Sequence, residues 1–144
     1  MFNFLFMREA LRKAQESCAA GCVPVGALIV FEGKILIKAH NNEGASHIPP
    51  TLQHAEFLVA LEACCLLKTD RLGKCDLYVT LEPCPFCAAI LRHLCIRKVF
   101  FGAYDPKGGG LVHHGTPQER PPFTGGLLET ESAELLRRFF QAKR

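Results

Sequence analysis

Two short clusters, His54-Ala55-Glu56 and Pro83-Cys84-Pro85-Phe86-Cys87, constrain this chain more than any other feature. One imidazole and two thiolates make three corners of zinc's tetrahedral shell, and a metal with only three protein ligands keeps the fourth position for water. That is the arrangement of a catalytic centre, not of a structural one. Whatever the fold, it must bring His54 beside Cys84 and Cys87.

Local sequence suggests how. Cys84 followed by Pro85 reads as a helix start, with Cys84 at the N-cap, Pro85 at the first helical position and Cys87 inside the first turn. Both sulfurs then sit at the positive end of a helix dipole, which favours thiolates. Pro49-Pro50-Thr51 reads as a stop followed by an N-cap threonine, which puts His54 in the first turn of a second helix. Glu56 opens a run from Ala55 to Leu67 whose only other charge is Glu62. A helix so nearly apolar all round is expected to be buried. A carboxylate two residues from a metal ligand is costly there unless it has chemistry to perform. Beside a metal-activated water it can take a proton and pass it to a leaving group, so the reaction class is hydrolytic displacement at a polarised carbon.

H-x-E with P-C-x-x-C is the signature of zinc nucleobase deaminases. Flanking blocks narrow the match: Val23-Pro24-Val25-Gly26-Ala27, Thr80-Leu81-Glu82-Pro83-Cys84, Val99-Phe100-Phe101-Gly102-Ala103, Asp105-Pro106-Lys107-Gly108-Gly109-Gly110, and a last helix ending Leu135-Leu136-Arg137-Arg138-Phe139-Phe140. Over nearly its whole length the chain resembles the bacterial tRNA-specific adenosine deaminases of the cytidine/deoxycytidylate deaminase superfamily. The resemblance implies one zinc ion per subunit held by His54, Cys84 and Cys87, with Glu56 as the proton carrier. It implies hydrolytic deamination of adenosine to inosine at the wobble position of tRNA anticodons, by a cytoplasmic homodimer bound to the anticodon stem-loop. Substrate contacts are implied at Asn41, with its neighbour Asn42 as the alternative, and at Ala55, Pro83, Lys107, Arg137 and Arg138. Asn41 could equally be a turn residue, and the basic end of the last helix could simply complement its dipole. Two other readings stay open: the same metal motif serves deaminases of free guanine, cytosine or dCMP, and a non-catalytic zinc module would bind a partner without turnover. The loop after Ala103 is several residues shorter than the family pattern.

A chain of 144 residues with 49% hydrophobic content suits a single domain, 1–144, with one core. Its eight cysteines accompany no secretory signal, since the apolar opening Met1–Met7 runs straight into Arg8-Glu9. A reduced intracellular compartment is the expectation. No segment approaches the ~20 apolar residues of a membrane span. A net charge of +3 does not by itself call for nucleic acid.

In chain order, apolar residues at Phe6, Met7, Ala10, Leu11, Ala14 and Cys18 predict an amphipathic helix from Phe6 to Ala20. Val25–Phe31 and Lys34–His40 read as a hairpin across Glu32-Gly33, followed by a loop from Asn41 to Pro50. The site helix runs from near Thr51 to Lys68, with Cys64 and Cys65 as core. Asp76–Glu82 is a third strand that delivers Cys84 at its carboxyl end, where open α/β sheets place ligands. Helix Pro85–Leu94 and strand Lys98–Ala103 complete a strand-helix-strand unit with parallel strands. Residues 104–126 read as a flexible substrate loop. Within it Lys107 is placed to meet phosphate, His113-His114 lack a third ligand, and Pro121-Pro122 weakens a fifth strand. Cys18 and Cys22 read as packing residues, and His93 and Cys95 as surface or packing residues at the far end of their helix. Glu131–Arg144 closes as an amphipathic helix. The expected architecture is α/β: a three-layer cytidine-deaminase-like fold with a mixed central sheet of about five strands between helices.

Overall fold

Alternation along three strands divides the interior into two layers. Ala27 and Ile29, Leu77 and Val79, and Val99 and Phe101 point to one side of the sheet; Leu28 and Val30, Tyr78, and Phe100 point to the other. Both sets are buried, so these strands are covered on both faces. The computed structural model describes residues 3–44 and 46–143. Its elements are α1 (Phe4–Ala19), β1 (Gly26–Phe31), β2 (Lys34–His40), α2 (Ala55–Leu67), β3 (Cys75–Leu81), α3 (Pro85–His93), β4 (Lys98–Ala103), β5 (Phe123–Thr124) and α4 (Glu129–Ala142). The sheet order is β2-β1-β3-β4-β5. β1 is antiparallel to both its neighbours, while β3, β4 and β5 run parallel. The expected three-layer arrangement around a mixed sheet of five strands is therefore present.

The two layers are built differently. α2 and α3 pack on the first face through Ala55, Val59, Ala60, Ala63, Ala88 and Leu91, small side chains that let both helices sit close to the sheet. α1 lies on the opposite face, where Met7 and Ala10 meet Leu28, Val30 and Tyr78. It approaches so closely that a Cβ on Gly26 would stand 2.0 Å from the Ala10 carbonyl oxygen. Ser132 of α4 fills the space above Gly102 on this side. Tyr78 and Phe100 stack at 4.7 Å, and the Tyr78 hydroxyl accepts a hydrogen bond from the Asn3 amide at 2.8 Å. The hairpin turn at Glu32 (φ 53°) and Gly33 (φ 76°) is of the type with two left-handed residues, which matches strand twist.

Several local expectations need correction. α1 starts two residues before Phe6 because Asn3 caps it, its side chain accepting from the Leu5 amide at 2.8 Å. Thr51 is not an N-cap: Pro50–Leu52 forms a separate 3-10 turn, and His54, in extended conformation, is the N-cap of α2. α2 is not buried all round. Its inner face holds Leu58, Val59, Ala60 and Ala63, which leaves Leu61 and Leu66 at 40% and 50% exposure and makes Cys65 an exposed residue, not a core one. Cys18, Cys22 and Cys64 are half-buried. α4 begins at Glu129, earlier than the acidic-to-basic pattern suggests, and the basic end placed at Arg144 lies outside the described residues, as do Met1 and Phe2.

Candidate active site

Two helix N-termini meet beside the carboxyl end of β3. Cys84 is the N-cap of α3, Pro85 holds the first helical position, and Cys87 follows in the first turn, 1% exposed. His54 is the N-cap of α2, yet its side chain makes no capping bond. Its ring is turned toward the sulfurs: Nδ1 stands 3.4 Å from Cys87 Sγ and 3.7 Å from Cys84 Sγ. The open amide at the start of α2 is capped from elsewhere, by Asn41 at the end of β2, whose Oδ1 accepts from the Ala55 N–H at 2.7 Å. One asparagine thus releases the histidine from capping and fixes the helix start that carries it.

These distances test the metal assignment. Zinc–sulfur and zinc–nitrogen bonds of about 2.3 Å and 2.1 Å at a tetrahedral angle put nitrogen and sulfur about 3.6 Å apart. The two observed separations bracket that value, and the three donor atoms lie within 4.8 Å of one another. Thiolate chemistry is prepared as well. A hydrogen bond from Cys87 draws the Cys84 thiol down to about 5, while the same bond and burial hold Cys87 well above the usual thiol range. A dication held by the three donors would require both sulfurs as thiolates and would displace any proton they carry. Residues and geometry fit zinc.

Glu56 is 4% exposed and lies against Cys87. Burial pushes its carboxyl up to about 7, the range in which a group both accepts and releases a proton near neutral pH. A small cavity opens here, lined by Asn41, His54, Glu56, Cys84, Glu82 and Asp105, with Val23, Val25 and Leu81 as its apolar wall. Phe86, between the two cysteines, is 44% exposed and meets the His54 ring edge-on.

The remaining sequence-derived positions are distributed unevenly. Asn41 lines the cavity, whereas Asn42 does not and adopts a left-handed turn conformation (φ 64°). Ala55 contributes the amide held by Asn41, and the Pro83 carbonyl accepts from the Gly110 amide at 2.7 Å, so both backbone groups already have partners. Lys107 is exposed on the loop after Asp105. Arg137 and Arg138 stand on α4, away from the cavity lining, and both guanidinium groups bind Glu134. Among the described residues, His113 and His114 join no third ligand; the other potential donor group, Glu16, His40 and Glu43, surrounds the Lys13 ammonium, which pairs with both carboxylates.

Sequence reasoning passed over Glu82 and Arg120. Glu82 takes hydrogen bonds from three backbone amides of the 105–112 loop, and Arg120 donates to the Leu111 and Val112 carbonyls of the same loop. The available signal for Glu82 was a carboxylate directly preceding Pro83-Cys84 at the end of an apolar strand. Arg120 had none, being one more cation in a polar segment.

The family model for the cytidine and deoxycytidylate deaminase zinc-binding region matches residues 3–103. The tRNA-specific adenosine deaminase of Bacillus subtilis is 41% identical over 97% of this chain and 89% of its own length. That of Aquifex aeolicus is 42% identical over 96% and 94%. A solved structure from work on A-to-I editing by tRNA:A34 deaminases at the wobble position superposes with a TM-score of 0.84 at 38% identity, covering 93% of this chain and all of the other. Guanine deaminase from Nitrosomonas europaea, at 20% identity and a TM-score of 0.76, shares the fold. A zinc-ligand set of the right geometry, a buried carboxylate beside it and full-length similarity at this level lead to one conclusion: the chain belongs to the zinc-dependent cytidine and deoxycytidylate deaminase family, among its tRNA-specific adenosine deaminases.

Proposed function

We propose that this protein converts adenosine to inosine at the wobble position of tRNA anticodons, with His54, Cys84 and Cys87 holding zinc and Glu56 carrying the proton. The observation that carries the reading is the buried Glu56 carboxyl beside a three-donor set with zinc spacing, together with relatives named as tRNA-specific adenosine deaminases. When bound, zinc supplies Lewis acidity that makes the attacking water acidic enough to lose a proton near neutral pH. Glu56 takes that proton on a carboxylate oxygen and passes it to the adenine amino group, so that the water oxygen forms its bond to C6 as the C6–N bond breaks and ammonia leaves. Asn41 keeps its amide nitrogen for the base, because its oxygen is committed to the Ala55 N–H. The cavity admits a base only after it leaves its stack, at a cost of a few kcal/mol that is smallest in a single-stranded loop. An anticodon loop meets that condition.

Lys107, Arg137 and Arg138 supply phosphate contacts outside the cavity, and a tRNA substrate puts the work in the cytoplasm. Residues 1–144 act as one deaminase domain. Two copies form the working unit. Support for the dimer comes from Leu61 and Leu66 on α2 and Phe86 on α3, apolar side chains left 40–50% exposed on the helices that carry the ligands. Sedimentation at micromolar concentration should show a dimer, and monomer alone would exclude it.

The substrate assignment is tested by incubating zinc-loaded protein with an anticodon stem-loop carrying a wobble adenosine, beside free guanine, cytosine and dCMP. Inosine in the stem-loop with no turnover of the small substrates is the expected outcome. Turnover of a free base or nucleotide without inosine would transfer the enzyme to the small-substrate deaminases.

A further inference from the structure

The Glu82 carboxylate is 4% exposed and, among the described residues, has no cation among its hydrogen-bond partners. Its partners are all backbone amides: Oε1 accepts from Asp105 at 3.1 Å, and Oε2 accepts from Leu111 and Val112, each at 3.0 Å. A buried carboxylate is expensive unless its lone pairs are filled, and a loop without regular structure needs acceptors for its buried amides. Here each requirement meets the other. The carboxylate grips both ends of the 105–112 segment at once. The middle of the segment is drawn onto the metal-bearing turn, where Gly110 donates to the Pro83 carbonyl at 2.7 Å. Packing is so close that a Cβ on Gly109 would stand 2.3 Å from Glu82 Oε2. Glu82 and Asp105 both line the cavity shared by His54 and Glu56.

We infer that Glu82 is a positioning residue for the substrate: it holds the 105–112 loop so that Asp105 stands in the wall of the base cavity, and acts through that loop instead of through the metal or the proton transfer. The inference rests on the deaminase reading above and assigns one wall of its substrate site. Glutamine at this position keeps the length of the side chain but turns one acceptor into a donor that faces a backbone N–H. One end of the loop must then let go while the Cys84 turn keeps its own hydrogen bonds.

The experiment compares the parent, Glu82→Gln and Gly109→Ala, all zinc-loaded, for zinc content, steady-state kinetics on the stem-loop, and amide hydrogen exchange. Gly109→Ala crowds the Glu82 carboxylate and the Asp105 carbonyl from the loop side, at 2.3 and 2.6 Å, and leaves the Glu82 side chain itself unchanged. Both variants are expected to keep one zinc per chain and a kcat near the parent's. Their KM should rise roughly tenfold or more, the effect of losing one charge-assisted hydrogen bond. Exchange should accelerate at Asp105, Leu111 and Val112 and not in β1 or β3. Parent-like KM and protection in Glu82→Gln would overturn the inference, as would a fall in kcat with loss of zinc at unchanged KM. If Glu82→Gln does not fold, Gly109→Ala decides by the same criteria. Should the parent make no inosine, the deaminase reading has failed, and the exchange pattern still tests the clamp on its own.

Discussion

The zinc cluster and the 105–112 loop, which brings Asp105 into the same cavity, are held by different means. His54, Cys84 and Cys87 are fixed by regular structure: two helix starts, each packed against the sheet through small side chains, converge at the end of β3. The 105–112 loop contains no regular element. Two charged side chains fill its backbone groups, Glu82 taking amides and Arg120 giving to carbonyls, and Gly110 ties it to the Pro83 carbonyl. The metal side is rigid because many weak contacts agree. The substrate side depends on a few strong ones, so single substitutions there are expected to move binding before they move metal or fold.

The largest effect that could break this contrast is expected on the metal side. Cys87→Ala removes a buried ligand, so zinc content measured by metal analysis should fall to near zero. Deamination should vanish, and the thermal midpoint should drop, because a metal bound only by the folded state stabilises it. Retained stoichiometric zinc would mean that the three-donor set is not the site. On the loop side, Arg120→Ala leaves the buried Leu111 carbonyl without its donor, at a cost of about 1–3 kcal/mol. Chemical unfolding should register that loss while zinc stays bound and KM rises. A loss of zinc in this variant would erase the distinction between the two sides. The smallest effect is expected at Arg138. It is exposed and already pairs with Glu134, so Arg138→Ala should leave stability unmoved. The same variant should weaken RNA binding uniformly across sequences and lower the slope of log affinity against log salt by about 1. An unchanged salt slope would remove Arg138 from the RNA surface.

This contrast also decides what could be read from the chain before its structure. The metal side was legible because its signals are local: Cys84-Pro85 marks a helix start, and the β-rich run Val25–Phe31 before Glu32-Gly33 and the alternation of Leu77, Val79 and Leu81 with Tyr78 and Thr80 mark strands. Errors there came from competing caps. Thr51 has an N-cap's chemistry, but Pro49 and Pro50 shape a separate turn, and the capping bond for α2 arrives from Asn41, fourteen positions away. Nothing local to either segment announces that pairing. Cys65 departs from the expected core position because one face of the apolar helix α2 stays open in the single chain. The loop side was illegible for a physical reason. Glu82 serves amides twenty-three to thirty residues away, and Arg120 serves carbonyls in a segment without periodicity. Side chains that bond to backbone leave no partner residue type to recognise.

The most direct test of the central claim is single-turnover inosine formation on the stem-loop by zinc-loaded parent and by Glu56→Gln, with zinc content measured in both. Inosine is expected from the parent, with a rate lower by roughly 10²–10⁴-fold in the variant, the usual range for losing a positioned proton carrier. Zinc should remain at one per chain in each, since Glu56 is not a ligand. A Glu56→Gln protein that keeps its zinc and forms inosine at the parental rate would contradict the claim.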